Sequence, residues 1–472
     1  MVYRILTWFL RVATRVFFRQ VEIVGLDHIP ATGGVLFAGN HPNSLIDPIL
    51  IITTCGRRVH FAAKDALFKG RLMRAVLGGL GAVPIHRRDD RDGVPQRDGP
   101  AVRPSESALG NEAVPGNEAA FDAMFAVLTA GGAIGIFPEG LSHDDSQLAR
   151  LKTGAARLAL GGAHRAGGPI AIVPCGLTFI RPKRFRSRVL VQYGPPILVP
   201  AEGPPDADAV RALTGELDAA LRRLTINAAD WDTVRALDAV RRLYQPLHIS
   251  IGDRVELARR FNTHYPAVAA DPRVVGLMRR VRSYQARLDV LDLTDRELAR
   301  ELSSGEIAAR MMRHVALLAL WLPMMVPGAP LHVPAVVFAR VAGPRLTPRK
   351  DVIATTKLLV GMLLVLASYA AAIAVLWWRA GLAAALIATV VLPLSGIATL
   401  RVLDRAHLVR RAFGVLVHRL RFRREVAALR AVRDELVVEV SRVVSEVKPP
   451  ELPALFPRRD PPRRDADEPG QP

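Results

Sequence analysis

The sequence predicts an α/β sandwich followed by a helical extension and a C-terminal membrane hairpin. Three observations carry this. Short β-type runs alternate with helix-type stretches over residues 21–228. Residues 229–313 are charged and have helical periodicity. Residues 358–377 and 382–400 are two apolar runs, each close to the ~20 residues that cross a bilayer. With 472 residues, 50% of them apolar and 23% charged, the chain is too hydrophobic for a disordered protein and too charged for a polytopic bundle.

Residues 1–20 place Ile5, Trp8, Phe9, Val12, Val16 and Phe17 at helical spacing, with Arg4, Arg11, Arg15 and Arg19 interrupting the apolar run. No small-residue cleavage site follows, so the segment reads as a basic amphipathic helix and not as a cleavable signal. Two placements fit it: flat on a membrane surface, or packed on its own domain. Within 21–228, the β-type runs are Val21–Val24, Val35–Ala38, Ala133–Phe137, Ile170–Pro174 and Val189–Tyr193, bounded by Gly, Pro and Asp. Asn117–Thr129 and Leu148–His164 read as helices, with Asn117 suited to an N-cap and Gly131-Gly132 to a stop. Residues 89–116, rich in Asp, Arg, Pro, Gly and Ser, read as a disordered insertion.

Residues 314–400 read as the membrane region. The turn Trp378-Arg379-Ala380-Gly381 closes the hairpin, and Trp377 and Trp378 suit an interfacial belt. Cations flank both ends: Arg340, Arg345, Arg349, Lys350 and Lys357 on one side, Arg401, Arg405, Arg410 and Arg411 on the other. Both ends should therefore face the cytoplasm. Residues 314–339 are apolar but carry Pro323, Pro327, Pro330 and Pro334. A single crossing there would carry the following cations outside, so this piece is expected to dip in and return, or to lie in the interface. Residues 401–447 are basic and helical, with a stripe of Leu429, Val432, Leu436, Val440 and Val443 that can pair with a partner helix or pack on its own chain. Residues 448–472 read as a disordered tail.

Lys and Arg total 64 against 44 Asp and Glu, a net charge of +20. Codon bias of a GC-rich genome accounts for part of the Arg excess, but the sign still favours anionic partners. No motif for nucleic acid accompanies it, and the cations sit partly beside apolar segments, which points to lipid. Cys55 and Cys175 are the only cysteines, which excludes a disulfide scaffold and a four-Cys metal site.

Four segments can carry chemistry. Asn40-His41-Pro42-Asn43-Ser44-Leu45-Ile46-Asp47 follows a β-run. If it begins as a turn, Asp47 can fold back onto His41, fix its tautomer and make the other ring nitrogen a base. A turn histidine satisfied by a carbonyl fits equally well. Phe137-Pro138-Glu139-Gly140-Leu141-Ser142-His143-Asp144 ends another run, followed by Lys152-Thr153-Gly154. Glycines there permit close backbone approach to a ligand, Glu139 can bind hydroxyls or position cations, and Lys152 adds a point charge. Gly81 to Arg88 contains Arg87, which can grip a phosphate with two hydrogen bonds. Ile172-Val173-Pro174 reads as a strand ending at a proline, a core strand or an acyl-chain contact. No metal is implied.

In order and content these segments resemble the glycerolipid-phosphate acyltransferase family: Asn-His with a downstream Asp, a Gly…Arg block, Phe-Pro-Glu-Gly, and a strand ending in Pro. The resemblance covers about the first half of the chain. Five residues between His41 and Asp47, Ser142-His143-Asp144 after the Phe-Pro-Glu-Gly, Lys152 with Gly154, and Asp230-Trp231 are closest to the fungal-type glycerol-3-phosphate/dihydroxyacetone-phosphate branch. The resemblance implies an acyltransferase-type sandwich that moves a fatty acyl group from acyl-CoA or acyl carrier protein to glycerol 3-phosphate, dihydroxyacetone phosphate or 1-acylglycerol 3-phosphate. The donor is a co-substrate and no cofactor is needed. His41 would be the base and Asp47 its support. Arg87, Glu139, Gly140, Ser142, His143, Lys152 and Gly154 would bind the acceptor, and Pro174 would touch the acyl chain. The site would face the cytoplasm from a phospholipid membrane. The third block lacks its usual arginine, leaving Lys152, Arg87 or His143 to take its place. An acyl-thioester or lysophospholipid hydrolase and an inactive membrane scaffold are the competing readings.

Overall fold

The structure, a computed structural model, describes residues 1–85, 118–228, 230–245, 249–291, 293–299, 304–347 and 349–452. The expected insertion at 89–116, the N-cap Asn117, Arg87 and most of the tail lie outside these residues. The chain forms two units, Met1–Asn227 with Trp321–Val402, and Ala228–Leu320 with the chain from Leu403 onward.

The first unit is built on an eight-stranded sheet: β1 (Phe18–Val24), β2 (Val35–Gly39), β3 (Val59–Lys64), β4 (Val83–Ile85), β5 (Ala133–Ile136), β6 (Ile170–Phe179), β7 (Ser187–Tyr193) and β8 (Ile197–Val199). Its order is β1-β7-β6-β2-β5-β3-β4, with β8 beside β6. All pairings are parallel except β6 with β7 and with β8. Around it lie α1 (Val2–Phe17), α2 (Ile46–Thr54), α3 (Arg71–Gly79), α4 (Glu118–Thr129), α5 (Gly154–Ala166) and α6 (Ala207–Leu224). The predicted α/β sandwich is therefore the observed class. Side chains alternate along β2: Val35 and Phe37 enter one core, Leu36 and Ala38 the other. A strand covered on both faces reads as a continuous apolar run for this reason.

Two elements depart from the sequence reading. β6 does not end at Pro174 but runs on to Phe179. Its neighbour is β8 at Ile170–Ile172 and β7 at Cys175–Phe179, so Pro174 falls where the strand changes partner. A missing N–H costs no ladder bond at such a gap. The helix read from Leu148 begins at Gly154. Leu148 and Leu151 are buried, but the Leu148, Ala149 and Lys152 N–H groups donate to Asn227 Oδ1, Glu139 Oε2 and the Pro138 carbonyl, each at 2.8 Å. The apolar period there belongs to a packed loop.

Helix α1 packs on its own domain by one face and leaves an apolar stripe exposed on another. Thr7, Thr14 and Phe17 are buried, and the Val59 N–H donates to Tyr3 Oη at 3.0 Å. Ile5, Trp8, Val12 and Val16 stay exposed beside Arg4, Arg11 and Arg15.

The second unit contains α7 (Trp231–Tyr244), α8 (Ile251–Val268), α9 (Pro272–Val290) and α10 (Asp295–Ala299). Asp230 caps α7 by accepting from the Thr233 N–H at 2.7 Å, which accounts for the Asp of the Asp-Trp pair. The membrane-type helices are α11 (Ser304–Met325), α12 (Ala329–Leu346) and α13 (Ile353–Arg421). Two stretches, Gly305–Leu346 and Ile353–Gly414, are long and apolar enough to cross a membrane. α13 is broken at Gly381, where φ is 81°. Tyr369 Oη donates to the Leu392 carbonyl at 2.9 Å, at nearly equal distances either side of that break, so the two arms fold together as a hairpin.

The proline-rich segment advances along this hairpin and comes back. Arg401 lies over the Trp321 ring at 5.9 Å. The Gly328 N–H donates to Ser395 Oγ at 2.9 Å, and His332 Nδ1 meets Thr399 Oγ1 at 3.2 Å. Farther on, Ala339 faces Gly361 and Gly343 faces Lys357. A 3₁₀ turn at Val326–Gly328 makes the reversal. The last helix, α14 (Arg423–Val447), places Leu429, Leu436, Val440 and Val443 in the core of the second unit, and Arg280 of α9 pairs with its Glu435 and Glu439.

Gly135 of β5 has no room for a side chain. A Cβ there would lie 2.2 Å from the Phe61 ring, which stacks on Phe137. Gly135→Ala is expected to destabilise the protein by about 1–3 kcal/mol in denaturant unfolding. A change under ~0.5 kcal/mol, typical of unconstrained surface sites, would contradict this packing.

Candidate active site

β2 and β5 are parallel neighbours in the middle of the sheet, so the loops at their C-terminal ends open side by side. This is where open α/β sheets gather functional groups. The loop after β2 turns sharply, with Ser44 at φ 50°, before α2 starts at Ile46. The turn brings Asp47 back under His41: His41 Nδ1 donates to Asp47 Oδ2 at 2.9 Å, and the Asn43 N–H donates to the same oxygen at 2.7 Å. The ring of His41 stacks on Phe137 at 4.0 Å with an interplanar angle of 6°. Carboxylate on one edge and phenyl on one face leave Nε2 as the basic nitrogen. Asn40 fixes the loop from the other side: its Nδ2 donates to the Leu177 carbonyl and its Oδ1 accepts from the Leu177 N–H.

Asp47 is wholly buried. Burial raises its carboxyl to about 6, against the lowering effect of His41 and the Asn43 N–H. Above that value it is the anion that holds the Nδ1 proton.

The loop after β5 supplies the second half. Glu139, expected to contact a bound hydroxyl or to position cations, is 2% exposed and its oxygens are taken by protein donors. Oε1 accepts from the His41 N–H at 2.8 Å; Oε2 accepts from the Ala149 N–H at 2.8 Å and from His143 Nε2. Its place is in the wall, tying three chain segments together. The His143 N–H donates to the His41 carbonyl, and the Ser44 N–H to Ser142 Oγ at 2.9 Å. Gly140 has φ 75°, and Lys152 runs across it so closely that a Cβ would sit 2.8 Å from the lysine Nζ. Burial pulls the His143 imidazole down, but the Glu139 carboxylate bonded to it, with Asp145 and Asp351, outweighs that and holds its pKa above the ordinary value.

The structure thus brings His41, Asp47, Glu139, Gly140, Ser142, His143 and Lys152 into one region. Gly154 sits at the start of α5, where no protein atom lies within 4 Å of the place a Cβ would take. Pro174 is buried within β6 opposite Ala38. Arg87 lies outside the described residues.

Sequence reasoning missed a contribution from residues 349–357. Arg349 Nη2 donates to the Ser142 carbonyl at 3.0 Å and pairs with Asp351. Thr355 Oγ1 donates to the Asn43 carbonyl at 3.3 Å, and Lys357 Nζ to that of Lys183 at 2.8 Å. Arg349 stands 207 positions from Ser142. Its only local signal is a cation flanking an apolar run, which reads as membrane topology.

Residues 20–178 match the acyltransferase family model, and residues 236–452 match the model for the glycerol-3-phosphate acyltransferase 2 C-terminal domain. Glycerol-3-phosphate O-acyltransferase 2 of Saccharomyces cerevisiae is 30% identical over 273 residues, covering 52% of this chain and 36% of that protein. Glycerol-3-phosphate O-acyltransferase 1 of the same yeast is 31% identical over 263 residues, covering 51% of this chain and 34% of that protein. An uncharacterized acyltransferase of Schizosaccharomyces pombe is 25% identical over 452 residues, 76% of this chain and 66% of that one. The chain thus spans about a third of the length of the two S. cerevisiae relatives it matches. A solved 1-acyl-sn-glycerophosphate acyltransferase from Thermotoga maritima is 20% identical with a TM-score of 0.33, covering 47% of this chain and 77% of that one. The resemblance read from the ordered motifs, including its fungal-type branch, is borne out by the two family matches and the yeast relatives.

Glu139→Gln removes the carboxylate that raises His143. In this variant the His143 titration midpoint, followed by NMR of labelled histidine, should fall. A midpoint left in place would show that Glu139 does not set it.

Proposed function

We propose that this chain is a membrane-bound O-acyltransferase that moves a fatty acyl group from acyl-CoA or acyl carrier protein to the hydroxyl of a glycerol-phosphate acceptor in phospholipid synthesis. The observation that carries this reading is the His41–Asp47 pair at 2.9 Å, set against the Phe-Pro-Glu-Gly loop by the Glu139 bond to the His41 backbone.

In this mechanism His41 Nε2 removes the proton of the acceptor hydroxyl as its oxygen attacks the thioester carbonyl. The new O–C bond forms, the C–S bond breaks, and the proton on Nε2 passes to the departing sulfur. Asp47 keeps the ring in the required tautomer and stabilises the imidazolium that forms. A thioester is already activated, so no covalent enzyme intermediate is required. Lys152 and Arg349 supply positive charge at the Ser142 loop for the acceptor phosphate, and Arg87, outside the described residues, is a further candidate on its sequence alone. Arg349 stands in for the arginine missing from the third block. Glu139, Ser142 and His143 position the loops.

Membrane attachment suits substrates and products of low solubility. The hairpin in α13, with Trp377 and Trp378 exposed at its turn, supports a double crossing with both ends on one face. The exposed stripe of α1 adds an interfacial contact. Arg349, beside the apolar run, bonds to the Ser142 loop, which supports a site close to the bilayer surface on the cytoplasmic side.

His41→Ala should lower transfer by about 10²–10⁴-fold, the usual contribution of a general base, while the protein stays in the membrane fraction. Thioester turnover by the wild type should stop when the acceptor is withheld. Continued turnover would favour the hydrolase reading, and unchanged transfer in His41→Ala would remove the base from the mechanism. A second expectation concerns pH. As pH falls through about 6, Asp47 takes up a proton and no longer holds the His41 Nδ1 proton, so kcat/KM should decline on that side. A profile flat down to pH 5 would separate Asp47 from catalysis.

A further inference from the structure

The second unit contains a cleft to which none of the residues of the His41 site contributes. It lies between the end of α7, the C-terminal half of α8, the start of α9 and the end of α14, and encloses about 110 Å³ with its mouth open to solvent. Its lining is almost wholly apolar. Leu277 is buried in the floor, and Tyr244 and Phe261, both half-buried, meet edge to face at 5.8 Å in the wall. Protein interiors normally fill such a gap with side chains.

Charge distinguishes this cleft from an accidental gap. α8 contributes Arg260 and His264, one turn apart, and Lys448 follows α14, while among the described residues no acidic side chain lines the cleft. Arg260 pairs with Glu256 at 2.7 Å, and Lys448 Nζ donates to the Leu452 carbonyl at 3.0 Å. An apolar trough with basic side chains complements a molecule that is apolar along its length and anionic at one end. Because part of the volume is solvent at the mouth, one chain suits it better than two. We propose that this cleft binds a single-chain lipid anion, the chain lying along Leu277 and Phe261 and the carboxylate or phosphate head meeting Arg260, His264 and Lys448.

The test uses the full chain in phosphatidylcholine nanodiscs, photolabelled with a diazirine-bearing palmitate and mapped by peptide mass spectrometry. Adducts are expected within residues 257–278 and 443–452. Unlabelled palmitate and 1-palmitoyl lysophosphatidate serve as separate competitors, and the one effective at lower concentration identifies the head group. Leu277→Trp, which fills the floor, should remove these adducts. His264→Glu with Lys448→Glu, which leaves the core untouched, should require about tenfold more probe. Labelling that avoids both peptides, or persists unchanged in both variants, would overturn the proposal. So would labelling that appears only after residues 453–472 are removed, since the cleft would then be filled by the chain's own tail.

Discussion

The His41 backbone N–H and the Glu139 carboxylate meet at 2.8 Å, and the rest of the site is arranged around that bond. It joins the loop after β2 to the loop after β5. Burying a carboxylate this deeply costs less when its oxygens are hydrogen-bonded, and Glu139 accepts from three donors on three segments. Hydrogen bonds to a charged group contribute about 1.5–3 kcal/mol each, more than neutral ones. One side chain therefore fixes the backbone that carries the imidazole, the strand exit that carries Phe137, and the loop that delivers Lys152. Asp47 then needs only to orient the ring. The division of labour explains why two carboxylates lie within one small region: one sets the position of the histidine, the other its tautomer.

The chain returns to this region from far away. Ala354 and Leu358 share the core that contains Phe37 and Val173, and Thr355 and Arg349 bond to the two site loops. The base of the hairpin is thus part of the wall of the proposed site. Polar groups deeper in the hairpin have partners as well. His332 sits between Tyr369 and Thr399, and Ser395 links the Met325 carbonyl to the Gly328 N–H. Polar groups away from water need such partners, and here they hold the 3₁₀ reversal against the hairpin.

Much of the fold was legible because its signals are local. The run Val35–Ala38, the Asn-His and Phe-Pro-Glu-Gly segments at strand ends, and the apolar runs around Gly381 follow from short-range rules. What misled was local pattern without partners. Leu148 and Leu151 have helical spacing, yet their loop gives its N–H groups to Glu139, Pro138 and Asn227. Pro174 resembles a strand terminus, yet the strand passes through it because its neighbours change there. Glu139 could be read as binding hydroxyls or as positioning cations, and its bond to His143 agrees with the second.

The sequence by itself determined the α/β class and the hairpin and offered the His41–Asp47 pairing as one of two readings, since each is encoded within a dozen or so residues of chain or in a continuous apolar run. Only the tertiary structure decided that Glu139 is a buried clamp, that the 314–339 segment turns back at Val326–Gly328 against Ser395, and that Arg349 reaches Ser142. These depend on which donors and acceptors meet across long loops. Burial and partner identity are properties of the packed chain, and no spacing rule along the sequence contains them.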